Sequence, residues 1–275
     1  MAAMLVVDRT GVIVASENPA SCGQRLHSVL FRQRLDRALD GVSQFVRPHP
    51  DPELSIEGAN GRRRPVAWTI APIRVSTAPA GVGLAVGVVA DRDLAAVFSA
   101  ARPGASTEAY AFSDDGLMLT PTRFTDALIA AGMLPESGTP PSAFAIPVRD
   151  PGGELGAGYT PRLEAAARPL TQAAALAVAA RGKSLGSDRE GVLVTPYRGY
   201  RGDEVIGAWR WLPAYDIGVI AEISATETFA PLRYLWISFA VIGGFVVLSL
   251  GAALTSSLSL SQLQRQFGKL QRLGV

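Results

Sequence analysis

Aromatic and basic side chains crowd one stretch in the last third of the chain, among them Tyr197, Arg198, Tyr200, Arg201, Trp209 and Trp211. Aromatic walls beside guanidinium groups can hold a small anionic ligand, the rings covering its apolar part and the forked N–H donors taking an oxyanion. Trp209 and Trp211 are two residues apart, so in a strand both point to one face. Two readings stand side by side. Either the pair packs beneath helices as core, or Tyr197, Trp209 and Trp211 form a pocket wall. Earlier in the chain Trp68, Thr69 and Asp91 offer the equivalent place, again as a core tryptophan with a strand-end acid or as a pocket. These six, Trp68, Thr69, Asp91, Tyr197, Trp209 and Trp211, are the candidate ligand-binding residues.

Other stretches fail as sites of chemistry. "RGKS" (Arg181 to Ser184) has Ala177 where a phosphate loop needs its earlier glycine, and its lysine ends a helix instead of opening one, so it reads as a helix end capped at Gly182. "GVGLAVG" (Gly81 to Gly87) reads as strand with no helix after it. "SDDG" (Ser113 to Gly116) is a turn, because the acidic residues that a calcium loop needs after its glycine are replaced by "LMLT". "DPGGELGAG" (Asp150 to Gly158) reads as a flexible loop. The two histidines, His27 and His49, have no second ligand nearby in sequence, and His27 reads as a helix residue. The expectation is therefore no catalytic residue, no metal and no cofactor. A net charge of +2 gives no reason to expect nucleic acid, and the single Cys22 cannot close an internal disulfide.

The elements that must position the candidates come twice. "LVVDRTGVIVAS" (Leu5 to Ser16) and "YAFSDDGLMLTP" (Tyr110 to Pro121) each read as a β-hairpin, with Gly11 and Gly116 supplying the positive φ of the turn. Each is followed by helical segments. In the first unit Leu26, Val29, Leu30, Leu35 and Leu39 recur at helical spacing; in the second the segments are "FTDALIAAGML" and "LTQAAALAVAARGK". Each unit then closes with two strands, Arg64 to Val75 and Gly81 to Asp91 in the first, Asp203 to Pro213 and Asp216 to Ser224 in the second. A short linker helix, Leu94 to Ser106, joins the units. Hairpin, helical insert and closing hairpin predict an antiparallel sheet with helices on a single face, an α+β arrangement occurring in tandem.

After the second unit "SATETFAPLRYL" supplies a Ser/Thr cap and an acidic first turn, then runs into Tyr234 to Leu254, which carries no charge. As a helix that stretch is about 30 Å long, the thickness of a bilayer's hydrocarbon core. Arg265, Lys269 and Arg272 follow it without an acidic residue, which predicts a cytoplasmic C-terminus and an extracytoplasmic body, residues 1–232, at the inner (cytoplasmic) membrane. Asp8 and Arg9 interrupt the N-terminus before an export signal could form, so the sequence is expected to be a fragment whose upstream anchor is missing. Leu260, Leu263, Phe267 and Leu270 follow the a/d spacing of a coiled coil, and Ala240, Gly244 and Gly251 share one face of the span, either as a homodimer contact would want or as small residues that simply face lipid.

Three runs resemble the double Cache sensor module of bacterial transmembrane receptors: "TEAYAFSDDGLMLTPTRF" (Thr107 to Phe124), "YRGYRGDEVIGAWRWLPAYDIGVIAEIS" (Tyr197 to Ser224) and "ETFAPLRYLW" leading into the span. "LVVDRTGVIVAS" and "GLAVGVVADRDL" extend the likeness over nearly the whole chain to Arg233. The resemblance implies two PAS-like (Cache) subdomains with antiparallel sheets and one C-terminal transmembrane helix. Its division is a membrane-distal subdomain (1–104, its N-terminal helix missing), a membrane-proximal one (105–225), the juxtamembrane and transmembrane helix (226–257) and a cytoplasmic linker helix (258–275). It implies sensing of a small-molecule ligand, with membrane lipid, a homodimer partner and a cytoplasmic output domain (a histidine or serine/threonine kinase, a cyclase or a chemotaxis domain) as partners. The Tyr, Arg and Trp set by which amino-acid-binding members hold their ligand is not visible in Glu17 to Arg64, so no ligand class carries over. The alternative is a membrane-anchored solute-binding or scaffold protein without an output domain.

Overall fold

The computed structural model describes residues 2–49, 53, 55–57, 63–73, 82–89, 96–98, 104–134, 144–183 and 187–273. They fall into two compact units, Met1–Ala225 and Thr226–Val275.

The first unit holds two sheets. In one, β1 (Ala2–Val7), β2 (Ile13–Ser16), β3 (Gln44–Val46), β4 (Ser55–Glu57), β5 (Arg63–Ile73) and β6 (Val82–Val89) pair antiparallel in the order β2-β1-β6-β5-β3, with β4 also on β5. The β1–β2 turn is built by Asp8, whose Oδ1 accepts from Thr10 N at 2.8 Å and Val12 N at 2.9 Å, while Gly11 takes φ +83°. Helix α1 (Val29–Leu39) packs on β3 and β5 through Phe31, Leu35 and Ala38, all buried. Its start is held from a distance: Glu53 Oε2 accepts from the backbone N–H of His27 (2.6 Å) and Ser28 (2.9 Å), placing a negative charge at the helix N-terminus. His27 thus precedes the helix that sequence spacing assigned it to, because its amide serves this cap.

The other sheet comprises β7 (Glu108–Phe112), β8 (Glu190–Arg198), β9 (Glu204–Leu212) and β10 (Ile217–Ser224), in the order β7-β10-β9-β8. A bridge between Phe112 and Met118 continues outward from β7, where β2 lies beyond β1. The two sheets therefore repeat one strand order. The second arm of this hairpin is only a bridge: Leu119 N donates to Ala111 O across it, while Met118 N turns away to Ile146 O. Between β7 and β8 lie α2 (Thr125–Ala130) and α3 (Gln172–Ala179). Ala173, Ala174 and Ala177 are fully buried, which lets α3 lie close on the strands. The helix ends at Ala179 with Ala180 as its cap, two residues before the expected Gly182, since the Ala180 N–H already closes on the carbonyls of Leu176 and Ala177.

Two further segments differ from their sequence reading. β8, which carries Pro196, has no counterpart among the strands expected from sequence. It is an edge strand, where a missing donor is tolerated. A bulge between Leu193 and Tyr197 places three residues opposite Ile206 alone. The excess of two keeps the inward and outward alternation, so Tyr197 stays on the buried face. The Asp150 to Gly158 segment is a fixed turn, not a flexible loop: Leu155 is buried and its N–H donates to Arg201 O at 3.0 Å. Of the linker expected over Leu94 to Ser106, residues 96–98 are helical, and residues 94, 95 and 99–103 lie outside the described residues.

The second unit is helix α4 (Ala225–Leu273), which starts one residue after β10 ends and carries Glu227 in its first turn. Pro231 contributes no N–H to its ladder. Residues Ala225–Leu263 contain a window of mean hydropathy 2.3, none of it buried, long and apolar enough to cross a membrane. Ala240, Gly244 and Gly251 are exposed along it, as are Leu260 and Leu263.

Gly202, in the β8–β9 turn, has φ +82°, and a Cβ there would lie 1.8 Å from the Gly153 carbonyl oxygen. Gly202→Ala meets both an unfavourable backbone angle and backbone that cannot step aside. It should cost more than about 2 kcal/mol, read as a lowered urea midpoint with an unchanged m-value; an unaltered midpoint would show that the turn and the 150–158 segment do not pack as described.

Candidate functional site

Where α1 approaches the second sheet there is a cavity of about 350 Å³. One wall is a single face of α1: Leu30, Gln33, Arg34 and Arg37 stand three, four and seven residues apart. The other wall is Arg47, just after β3, together with Asp114 from the β7 turn, Arg181 after α3, Trp211 and Pro213 at the end of β9, and Asp216 in the β9–β10 turn.

Ion pairs cross this junction. Arg47 Nη2 lies 2.7 Å from Asp114 Oδ1, Arg47 Nη1 donates to the Asp216 carbonyl at 3.2 Å, and Arg34 Nη2 reaches Asp216 Oδ2 at 3.5 Å. Within the second sheet's own half, Arg181 grips Asp216 with both prongs (Nε to Oδ1 2.9 Å, Nη2 to Oδ2 3.0 Å) and also pairs with Asp114. Its guanidinium carbon stands 5.8 Å from the Trp211 ring centroid. Burial disfavours the charge on Asp114, but the Arg47 hydrogen bond and the charges of Arg47 and Arg181 outweigh it and hold the carboxyl below its ordinary range. Beside the cavity the Phe45 and Tyr215 rings meet edge to face at 5.1 Å. Two N–H groups in the cavity's wall residues have no acceptor among the described residues: Arg47 Nε and Trp211 Nε1.

A second polar cluster lies at the end of the second sheet from which α4 continues. Glu108 on β7 and Glu222 on β10 are direct cross-strand partners, both buried. Glu222 accepts from Tyr197 (2.7 Å) and Tyr110 (3.0 Å); Glu108 accepts from Tyr200 (2.5 Å), Thr122 (2.7 Å) and the Arg123 amide (2.9 Å). Burial pushes the Glu222 carboxyl up to about 7; the two tyrosine hydrogen bonds pull it back and the neighbouring Glu108 and Asp203 push it further up. Burial and the adjoining carboxylates raise all three tyrosines, which stay neutral donors. The cluster can take up or release a proton beside the last strand.

Of the residues chosen from sequence, only Trp211 lines the cavity. Trp209 shares its face of β9, as the spacing requires, but packs over Gly191 and the core of the second sheet. Tyr197 is in the carboxylate cluster. Trp68 is in the core of the first sheet, edge to face with Phe31 at 6.2 Å. Thr69 alternates to the opposite, exposed face, and Asp91 lies outside the described residues. Sequence reasoning missed Arg34, Arg37, Arg47, Arg181, Asp114 and Asp216. A signal existed for two of them, since Arg34 and Arg37 share a helix face beside the apolar stripe.

No protein-family model and no curated protein matches the chain. Among solved structures it is similar to the extracellular domain of mmHK1S-Z3, at 16% identity and TM-score 0.41 over 73% of this chain and 55% of that one. It is similar also to the sensor domain of the histidine kinase DctB of V. cholerae, at 14% identity and TM-score 0.41 over 81% of this chain and 71% of that one. A third is the ligand-binding domain of the amino acid chemoreceptor PctB of Pseudomonas aeruginosa PAO1 with L-Arg, at 13% identity and TM-score 0.42 over 86% and 71%. The chain spans about half of the first of these structures. At such distances neither a site nor a ligand transfers, and function has to come from this chain's own residues.

The Glu222 shift has a sign that can be measured. Between its ordinary value of 4.5 and about 7 the folded protein keeps a proton that the unfolded chain has released. Stability should therefore fall as pH rises through that window, by on the order of 3 kcal/mol in all, and level off above it. Glu222→Gln should flatten this slope in urea titrations run from pH 5 to 8. A variant as pH-dependent as the parent would assign the effect elsewhere.

Proposed function

We propose that the chain is the extracytoplasmic sensing part of a bacterial membrane receptor, which binds a small molecule in its Met1–Ala225 unit and passes the change to a cytoplasmic output. The observation that carries this reading is the direct run from β10, ending at Ser224, into α4, beginning at Ala225. A hydrogen-bonded sheet and a membrane-length helix share a backbone with no linker between them, so a shift of the last strand has no slack in which to be lost. The repeated strand order of the two sheets, the likeness of three sequence runs to double Cache modules and the ion-paired cavity at the sheet junction all support it. In this reading residues 1–104 are membrane-distal, 105–225 membrane-proximal, 226–257 cross the inner membrane, and 258–275 lead to an output domain. The basic run Arg265, Lys269 and Arg272 favours the cytoplasm for the C-terminus.

Signalling of this kind needs ligand to favour one of two packings, and a homodimer of helices is the simplest carrier. Ala240, Gly244 and Gly251 offer the small-residue face for it. The full chain, reconstituted in nanodiscs with Cys22→Ser and Gly244→Cys, tests this by disulfide formation between protomers. A compound from a panel of amino acids, amines and organic acids that binds at a hundredfold excess over its Kd adds about 2.7 kcal/mol of apparent stability. Such a compound should also change the rate of cross-linking at residue 244. Stabilisation without any change there, or at cysteines placed at 240 and 251, would favour an anchored binding protein over a sensor.

A further inference from the structure

The cavity at the sheet junction is lined, among the described residues, by four arginines and only two aspartates, so two positive charges remain once each aspartate is matched. A concave wall with a surplus of one sign concentrates ions of the other. Arg37 stands on its rim, exposed, with no hydrogen bond or ion pair among the described residues. Deeper in, Arg47 is only 9% exposed and Trp211 only 1%, yet Arg47 Nε and Trp211 Nε1 have no acceptor among the described residues. Buried donors are nearly always satisfied, and these two, one from each sheet's half, lie closed off behind the cavity's surface, so an occupant meets them only if the wall shifts. The pairs also differ in tightness. Arg181 holds Asp216 at 2.9 and 3.0 Å, whereas Arg34 reaches it only at 3.5 Å, so Arg34 can turn to a competing anion while Asp216 stays fixed.

We infer that this cavity binds a small dianion, its charge carried on carboxylate or phosphate oxygens, between Arg34 and Arg37 of α1 and the Arg47 and Trp211 wall. Forked guanidinium donors suit such oxygens, and about 350 Å³ admits a metabolite of a few carbons but not a polymer. The ligand would stand between the halves that Arg47 and Asp216 already join, and would draw α1 toward the second sheet. Binding stands on the cavity alone. Only the claim that occupancy reaches α4 rests on the sensor reading.

Titrating the full chain in nanodiscs with succinate and with inorganic phosphate, at constant ionic strength set by chloride, tests it by calorimetry and thermal shift, with L-alanine as zwitterionic control. At least one dianion should bind and L-alanine should not; the tighter of the two identifies the oxyanion class. Arg37→Gln should weaken that binding about tenfold, with the unliganded melting temperature unchanged because the side chain has no partner among the described residues, and Trp211→Phe should weaken it about threefold. The proposal fails if neither dianion binds, or if one binds equally to both variants. A dianion that binds here without altering cross-linking at residues 240, 244 and 251 would overturn the sensor reading and leave the site standing. A compound that alters cross-linking equally in Arg37→Gln would do the reverse.

Discussion

The carboxylate of Asp216 is the point at which the two halves of the first unit are tied. It sits at the tip of the β9–β10 turn with φ +54°, a left-handed angle that few residues besides glycine, Asn and Asp accept readily. There its two oxygens take both prongs of Arg181 and meet Arg34, while its carbonyl takes Arg47. Arg181 is nearly half exposed, so its pair alone contributes little. Arg47, nine-tenths buried, matters more, because a buried guanidinium stripped of its acceptors is costly, on the order of 3 kcal/mol. The turn thus fixes where an anion already sits, and Arg34, Arg47 and Arg181 are arranged around it.

Apolar packing does different work. Each sheet has its own core, one around Phe31, Leu35 and Trp68, the other around Tyr110, Phe112 and Trp211. The junction between them is mostly charge, with the Phe45–Tyr215 ring pair at its side. A charged seam is less cohesive than a core and responds to ions and pH, whereas each sheet should move as a rigid body. Any relative motion of the two sheets is thereby concentrated at a surface open to small ions.

How much of this was legible depended on sequence distance. β5, β6, β9 and β10 announce themselves by apolar runs, and the turn glycines Gly11 and Gly116 are local facts. β3 is three residues long and β4 likewise, too short to leave a periodicity. β8 carries exposed Val192 and Val194 and an internal proline, a pattern that only an edge position and a bulge explain. The cavity was harder still, since Arg47 and Asp216 are separated by 169 residues and neither has any local mark of pairing. Glu222 carries no local mark of burial; only the register that sets it against Glu108, with Tyr110 and Tyr197 donating to it, makes it a buried acid. Trp211 was picked as an aromatic face near arginines, but the arginine that stands over its ring is Arg181, not Arg198 or Arg201.

The bulge in β8 gives the edge of the second sheet a parity. Because its excess over the partner strand is two, Tyr197 keeps its hydroxyl on Glu222 and Arg198 keeps its paired position opposite Glu204. Losing one residue from the Val194 to Pro196 stretch would turn Tyr197 outward and leave a buried acid short of a donor, whereas losing two would simply smooth the strand. Natural variation in length is therefore permitted here in pairs, and an alignment of relatives should show even gaps at this edge and avoid odd ones.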